Sequence, residues 1–129
     1  MAASLGPAAP GFLTVPITIL LAEDDPTVRE VIAAMLERLG YRVLPVACGP
    51  EALAVAKREK VDLLVADLGM PGMSGDELGR RFQEHYPDAP VVLISGGDPP
   101  SPTPAARFLR KPFTLADFGL ALKRLLDFH

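Results

Sequence analysis

From Ile17 onward, short apolar runs alternate with segments in which apolar residues recur at helical spacing. This alternation predicts βαβ units arranged around a parallel sheet. The first, third and fourth runs consist almost entirely of Val, Ile and Leu, which is typical of strands covered by helices on both faces. The five predicted strands span residues 17–22, 41–47, 61–67, 91–95 and 107–110.

Four helices are predicted between and after these strands. The first follows Asp25, a favourable N-cap with a proline directly after it. The second begins at Pro50. The third follows Ser74, whose spacing from Glu77 matches a capping box, and the last begins at Thr114.

The segment between the fourth and fifth strands departs from this pattern. Only eleven residues, Gly96 to Ala106, separate the two strands, and four prolines between Pro99 and Pro104 exclude a regular helix there. The return path needs about 17 Å along the strand and about 5 Å across to its neighbour. A polyproline II segment of this length covers roughly 34 Å, whereas a helix rises only about 16 Å. We therefore expect a proline-rich crossover in place of a crossover helix.

The composition is that of one folded domain. The chain has 129 residues, 49% of them hydrophobic and 22% charged, and domains typically contain roughly 100–150 residues. A formal net charge of −3 provides no broad basic field, so we predict neither a nucleic acid nor a membrane as partner. Cys48 is the only cysteine, which excludes an internal disulfide, and we interpret it as a small buried residue.

Residues 1–16 are rich in Ala, Gly and Pro and contain no Lys or Arg. A signal peptide or membrane span is not indicated, because the basic flank and the unbroken apolar run are both missing. We expect a flexible N-terminal arm over residues 1–16, a single domain over residues 17–129 and, by default, a cytoplasmic location.

Polar side chains follow the carboxyl ends of four predicted strands. Glu23 and Asp24 follow the first strand, Asp67 ends the third, Ser95 ends the fourth and Lys111 follows the fifth. Ligands of an open parallel sheet bind beyond the carboxyl ends of its strands, so these side chains should meet at one edge. Carboxylates this close repel each other unless a cation lies among them, and Mg²⁺ prefers such oxygen ligands. The pattern predicts a divalent-metal site.

Most of these residues have simpler explanations when taken alone. Asp25 is better explained as a helix cap than as a ligand. The two acids before it could be solvated loop residues, Ser95 could bond only within its loop, and Lys111 could be a surface lysine. Asp67 is harder to dismiss, because it ends an apolar strand and leads into the tight turn "LGMPGMSG".

Together, four motifs in register resemble the receiver domain of two-component response regulators. They are "ILLAEDD", "LLVADLGMPGMSGDEL", "VVLISG" and "FLRKPF", and the resemblance covers about residues 17–127. It implies a doubly wound α/β fold, flavodoxin- or CheY-like, with five parallel strands in the order 2-1-3-4-5. It also implies a phosphoacceptor signalling domain rather than an enzyme that turns over an external metabolite.

The resemblance further implies a role for each matching residue. Asp67 matches the phosphoacceptor, which receives its phosphoryl group from a histidine kinase or a histidine phosphotransfer protein. Ser95 and Lys111 match the residues that contact the phosphoryl group. Ser95 and Phe108 match the switch positions, and the peptide bond before Pro112 is expected to be cis.

Mg²⁺ is the cofactor implied by the same resemblance. Its ligands would be Glu23, acting mainly through water, the carboxylates of Asp24 and Asp67, and the backbone carbonyl of Gly69. The glycines at positions 69 and 97 lack the side chains that shape access of water in the family, so the lifetime of the phosphate is not predicted.

Two rival functions stay open from the sequence. One is a pseudo-receiver that acts as a phosphorylation-independent interaction module, which the missing crossover helix favours. The other is a small Mg²⁺-dependent phosphatase, which the compact size and the lack of a substrate cap disfavour. If the crossover helix is missing, apolar surface near Phe108 and Leu109 needs cover, and a homodimer or a partner protein would supply it.

Overall fold

The computed structural model describes residues 16–97, 106–111 and 113–127. Strands and helices alternate from the first strand to the fourth. The elements are β1 (Thr18–Ala22), α1 (Pro26–Arg38), β2 (Arg42–Val46), α2 (Gly49–Arg58), β3 (Leu63–Asp67), α3 (Gly75–His85), β4 (Val91–Ser95), β5 (Ala106–Arg110) and α4 (Leu115–Asp127). The five strands form one parallel sheet in the order β2-β1-β3-β4-β5, as predicted.

The three central strands are the three that were predicted from their continuous apolar runs. β1 and β4 are buried along their whole length, and β3 is buried except for its last residue, which is partly exposed. Alternate residues of a strand face opposite sides of the sheet. Accordingly, Leu20 belongs to a core layer under α2 and α3, whereas Ile19 and Leu21 belong to a second layer under α1 and α4.

Side-chain caps fix the starts of three helices. Asp25 accepts hydrogen bonds from the backbone N–H groups of the second and third residues of α1. Ser74 Oγ accepts from the backbone N–H of Glu77 at 3.2 Å in α3. At the start of α4, the backbone N–H of Thr114 donates to Asp117 Oδ2 at 3.2 Å, and the backbone N–H of Asp117 donates to Thr114 Oγ1 at 3.0 Å. These contacts confirm the predicted caps at Asp25 and Ser74. Thr114, predicted as the first residue of the last helix, instead precedes α4, which begins at Leu115.

The prediction that Cys48 is buried is wrong. Cys48 is exposed because it lies at the N-cap position of α2, in the turn that leaves β2 after Val46. Its side chain makes no capping hydrogen bond, and α2 begins at Gly49, one residue before the predicted start.

Three predictions fall outside the described residues. The proline-rich crossover would lie mainly on residues 98–105, most of the N-terminal arm lies on residues 1–15, and the cis peptide bond involves Pro112. They stay predictions. In the described ranges the sheet is accompanied by four helices, and none of these is long and apolar enough to cross a membrane.

Candidate functional site

Three acids from two strand ends meet at the carboxyl edge of the sheet. Glu23 and Asp24 directly follow β1, and Asp67 is the last residue of β3. β1 and β3 are paired neighbours, so their ends lie side by side. One carboxylate oxygen from each acid lies within 4.8 Å of the other two. We call Glu23, Asp24 and Asp67 the acidic cluster.

Glu23 is the buried member of the acidic cluster, with only 1% of its surface exposed. Its Oε2 accepts a hydrogen bond from the backbone N–H of Asp25 at 3.1 Å. Burial raises the pKa of the Glu23 carboxyl above its ordinary value, and the charge of Asp67 raises it further. The N–H of Asp25 and the ammonium group of Lys111 oppose this rise in pKa without cancelling it.

Lys111 brings a positive charge to the acidic cluster. Its Nζ lies 3.4 Å from Glu23 Oε1 and 3.8 Å from Asp67 Oδ2. Its backbone N–H donates to the carbonyl oxygen of Ser95 at 2.7 Å, which ties the end of β5 to the end of β4. The side chain is about one-third exposed, so the ammonium group is still reachable from solvent.

Ser95 lies at the same edge, but its hydroxyl group is engaged within its own turn. The hydroxyl donates to the carbonyl oxygen of Gly97 at 3.0 Å and is within 3.1 Å of the Gly97 N–H, from which it accepts. Asp67 makes a similar local contact, because its Oδ1 accepts from the backbone N–H of Gly69 at 3.3 Å. Asp67 therefore faces the edge with Oδ2 beside Lys111.

Phe108, the predicted switch residue, lies in β5 opposite Leu93 of β4. It is half-buried and packs against the core layer under α2 and α3. The structure therefore connects β5 to the interior through Phe108, while the site lies beyond the end of the same strand.

The donor set of the acidic cluster fits a small divalent cation. Its side-chain donors are carboxylates, the hard oxygen ligands that Mg²⁺ prefers. Burial raises the pKa of Glu23 and the charge of Asp67 raises it further, so the ionised form of Glu23 is disfavoured in this position, and a cation beside it would offset that cost. Gly69, whose carbonyl was predicted to contribute, lies exposed in the turn two residues after Asp67.

Arg29 supports the site but was not singled out from the sequence. Its guanidinium group donates from Nη1 to the carbonyl oxygen of Glu23 at 2.8 Å. An arginine near the N-terminus of a helix is unfavourable with respect to the helix dipole. Arg29 lies four positions after the last of three successive acids. A basic residue there was the available signal of a contact with the loop formed by Glu23 and Asp24, which we call the acidic loop.

A family model for the response regulator receiver domain matches residues 19–123. The chain belongs to this family. It is 38% identical over 114 residues to the response regulator receiver protein CpdR of Brucella abortus, covering 84% of this chain and 95% of CpdR. It is also 34% identical over 118 residues to the sensor kinase CckA of the same organism, covering 85% of this chain but 12% of CckA.

The fold agrees with solved receiver structures. The response regulator TrrA of Thermotoga maritima, solved in complex with Mg²⁺-BeF, is 27% identical and superimposes with a TM-score of 0.78. The match covers 84% of this chain and 98% of that chain. Several other curated relatives are longer, and this chain spans half of their length or less.

Membership of the family sets the class of function. Receiver domains are phosphoacceptor signalling domains of two-component systems rather than classical enzymes, and they bind Mg²⁺. The family implies a histidine kinase as partner. The acidic cluster is consistent with a phosphoacceptor site.

Proposed function

We propose that this chain accepts a phosphoryl group on Asp67 in a Mg²⁺-dependent reaction and then signals to a partner protein by a change of conformation. The observation that carries the proposal is the placement of the Lys111 ammonium group 3.8 Å from Asp67 Oδ2. The acidic cluster supplies cation ligands at the same edge of the sheet. A nucleophile, metal ligands and a partner for phosphoryl oxygens thus lie together.

Asp67 is the nucleophile in this proposal. A carboxylate oxygen attacks phosphorus, the new O–P bond forms, and the P–N bond of a phosphohistidine breaks, with its electron pair leaving on the imidazole. The transition state of such a transfer is loose, so catalysis consists mainly of positioning and charge neutralisation. Lys111 contributes by pairing with a phosphoryl oxygen.

Mg²⁺ would be held by the carboxylates of Asp24 and Asp67 and by the backbone carbonyl of Gly69, with Glu23 acting mainly through water. When bound, it neutralises negative charge on the transferring phosphoryl group. Glu23 is the least exposed of the three acids, which suits a residue that acts through a bound water.

Ser95 and Phe108 would convert phosphorylation into a signal. To donate to the phosphoryl group, the Ser95 hydroxyl must give up its hydrogen bond to the Gly97 carbonyl oxygen. That movement would free space near β5, and Phe108, which is only half-buried, would turn further inward. The surface around β5 would then present a different shape to a downstream protein.

The phosphodonor would be a histidine kinase or a histidine phosphotransfer protein. Receiver relatives occur both as CpdR, which this chain covers almost completely, and as part of the much longer CckA.

The same proposal includes a cytoplasmic location, a flexible arm over residues 1–16 and a homodimer through the surface near Phe108 and Leu109. Sedimentation at increasing protein concentration tests the homodimer.

Incubation with acetyl phosphate and Mg²⁺, followed by intact-mass measurement, tests the function. The expected result is a mass gain of one phosphoryl group that requires Mg²⁺ and is absent in Asp67→Asn. A Lys111→Ala variant should still bind Mg²⁺ but should be phosphorylated more slowly. Modification that is independent of Mg²⁺ or persists in Asp67→Asn would contradict the proposal.

A pseudo-receiver is the second candidate, and the closed Ser95–Gly97 turn is the observation that favours it. A chain of this kind would bind its partner without modification. If neither acetyl phosphate nor a beryllofluoride mimic with Mg²⁺ changes the amide spectrum, while a partner is still bound, the pseudo-receiver is the correct function.

A further inference from the structure

Gly75, the first residue of α3, lies against the main chain of Asp67. A methyl group built on Gly75 would lie 2.5 Å from the carbonyl oxygen of Asp67, 2.9 Å from its carbonyl carbon and 3.0 Å from Cα of Leu68. Real Cβ atoms essentially never approach other atoms more closely than 3.0 Å. Any side chain at position 75 therefore requires the backbone to move.

The backbone next to Gly75 is held from both sides. The N–H of Leu68 donates to the carbonyl oxygen of Ile94 in β4 at 2.8 Å, and the carbonyl of Leu68 accepts from the N–H of Gly75 at 3.2 Å. The start of α3 is itself fixed by the Ser74 cap. The peptide after Asp67 thus lies between β4 and α3, and it cannot yield without breaking one of these contacts.

The requirement for glycine at this position is one of space. The described glycines with positive φ are Gly40 and Gly72, and each has open space where a Cβ would lie. Gly75 is the reverse case, since its backbone suits any residue but its surroundings admit no side chain.

We infer that Gly75 is a positioning residue for the phosphoacceptor. By letting α3 begin against the Asp67 carbonyl, it holds the Asp67 carboxylate in the acidic cluster and beside Lys111. The consequence for phosphoryl transfer rests on the function proposed above. The position of Asp67 itself can be measured without any phosphorylation.

The test compares Gly75→Ala with the wild-type chain in three measurements. These are the amide chemical shifts of residues 67–69, the Mg²⁺ dissociation constant, and the phosphorylation rate with acetyl phosphate at saturating Mg²⁺. Displacement of a reacting group by about 1 Å costs on the order of a hundredfold in rate. We expect shifted amides, Mg²⁺ binding weakened roughly tenfold, and phosphorylation slowed by at least about tenfold.

Two control variants separate positioning from loss of stability. Gly79→Ala lies in the same helix, and its methyl group would meet only the two side-chain methyl groups of Val91, at 3.2 and 3.9 Å. Leu36→Ala removes a fully buried side chain from α1, within the core layer under α1 and α4. Both should keep wild-type Mg²⁺ affinity and phosphorylation rate at temperatures where they are folded, even though Leu36→Ala melts earlier.

The outcomes distinguish this inference from the proposed function. If the wild type takes up no phosphoryl group, the proposed function fails, while the amide shifts and Mg²⁺ affinity still decide the role of Gly75. If Gly75→Ala matches Gly79→Ala in both of these, the inference is overturned. Should Gly75→Ala not fold, Ser74→Ala loosens the start of α3 with Gly75 in place, and unchanged amides and Mg²⁺ affinity in that variant would also overturn it.

Discussion

At the scale of single residues, the site is governed by the conflict between burial and charge at Glu23. The side chain is almost fully buried, and its pKa is raised although a backbone N–H and Lys111 both favour the ionised form. In the metal-free protein, the charged Glu23 is therefore less stable in the folded state than in the unfolded chain. The free energy of unfolding consequently depends on pH through this residue.

The first prediction concerns Glu23→Gln without metal. Because the raised pKa makes the folded state bind more protons than the unfolded state, the wild type loses stability as pH rises from the ordinary glutamate pKa through the raised one. The loss persists at neutral pH. Glu23→Gln lacks this loss, so its excess stability over wild type should grow across the same pH range. Urea unfolding at a series of pH values measures it, and a difference between the two proteins that does not vary with pH would contradict it.

The second prediction concerns Arg29, which holds the acidic loop through the Glu23 carbonyl. Arg29→Ala should lower the free energy of unfolding by about 1 kcal/mol, since a partly buried hydrogen bond is lost. It should also weaken Mg²⁺ binding, because the loop that carries Glu23 and Asp24 is no longer fixed. Arg29→Lys is the matched control: it keeps the charge, and partial recovery of both quantities indicates that the contact itself matters. Wild-type Mg²⁺ affinity in Arg29→Ala would show that the loop does not need it.

At the scale of helices and strands, capping side chains place the site loops. α1 starts at its Asp25 cap directly after the acidic loop, and α3 starts at its Ser74 cap at the end of the turn that follows Asp67. The elements that carry the acids are thus joined to helices whose first residues are fixed by side-chain oxygens.

The third prediction separates capping from metal binding at Asp25. Asp25→Ala should cost about 1 kcal/mol in the free energy of unfolding, because Asp25 Oδ1 accepts from Thr27 N at 2.8 Å and from Val28 N at 3.1 Å. Asp25→Ser keeps a capping oxygen and should recover most of this stability. Both variants lose the same charge, so their Mg²⁺ affinities should agree within about twofold. A selective loss of Mg²⁺ binding in Asp25→Ala would mean that Asp25 does more than cap α1.

The strands and caps could be predicted because their signals are local. Continuous apolar runs mark β1, β3 and β4 as strands covered on both faces, and parallel pairing then brings Asp24 and Asp67 to one edge. The contact of Arg29 was indicated only by a basic residue in the first turn of α1, which does not identify its partner, and no sequence signal marked the contact of Gly75. Both contacts depend on how a helix is seated against a strand end, which no short sequence pattern specifies.

The burial of Cys48 was predicted wrongly for a related reason. An apolar residue next to the start of a helix lies on the inner or the outer side according to the turn geometry, and here the turn after β2 places it outside. Composition alone favoured a buried cysteine. The residue's position at the N-cap decided otherwise.

At the scale of the whole molecule, the site joins residues that are far apart in the sequence. Lys111 follows the edge strand β5, Glu23 follows β1, and the two side chains are 88 positions apart in sequence yet lie 3.4 Å apart. The site therefore forms only in the folded domain. A ligand that binds the assembled acidic cluster must stabilise the fold as a whole.

The last prediction follows from this linkage. Mg²⁺ at about one hundred times its dissociation constant should raise the free energy of unfolding of the wild type by about 2.7 kcal/mol. Asp24→Asn removes one charge from the exposed side of the acidic cluster, so without metal it should be more stable than wild type, because repulsion is reduced. With Mg²⁺ the order should reverse, because a ligand is missing. Urea unfolding with and without Mg²⁺ measures both differences, and Ca²⁺-free buffers containing only Na⁺ at matched ionic strength control for screening. If the two proteins keep the same order of stability in both conditions, the acidic cluster does not hold a divalent cation in the manner proposed.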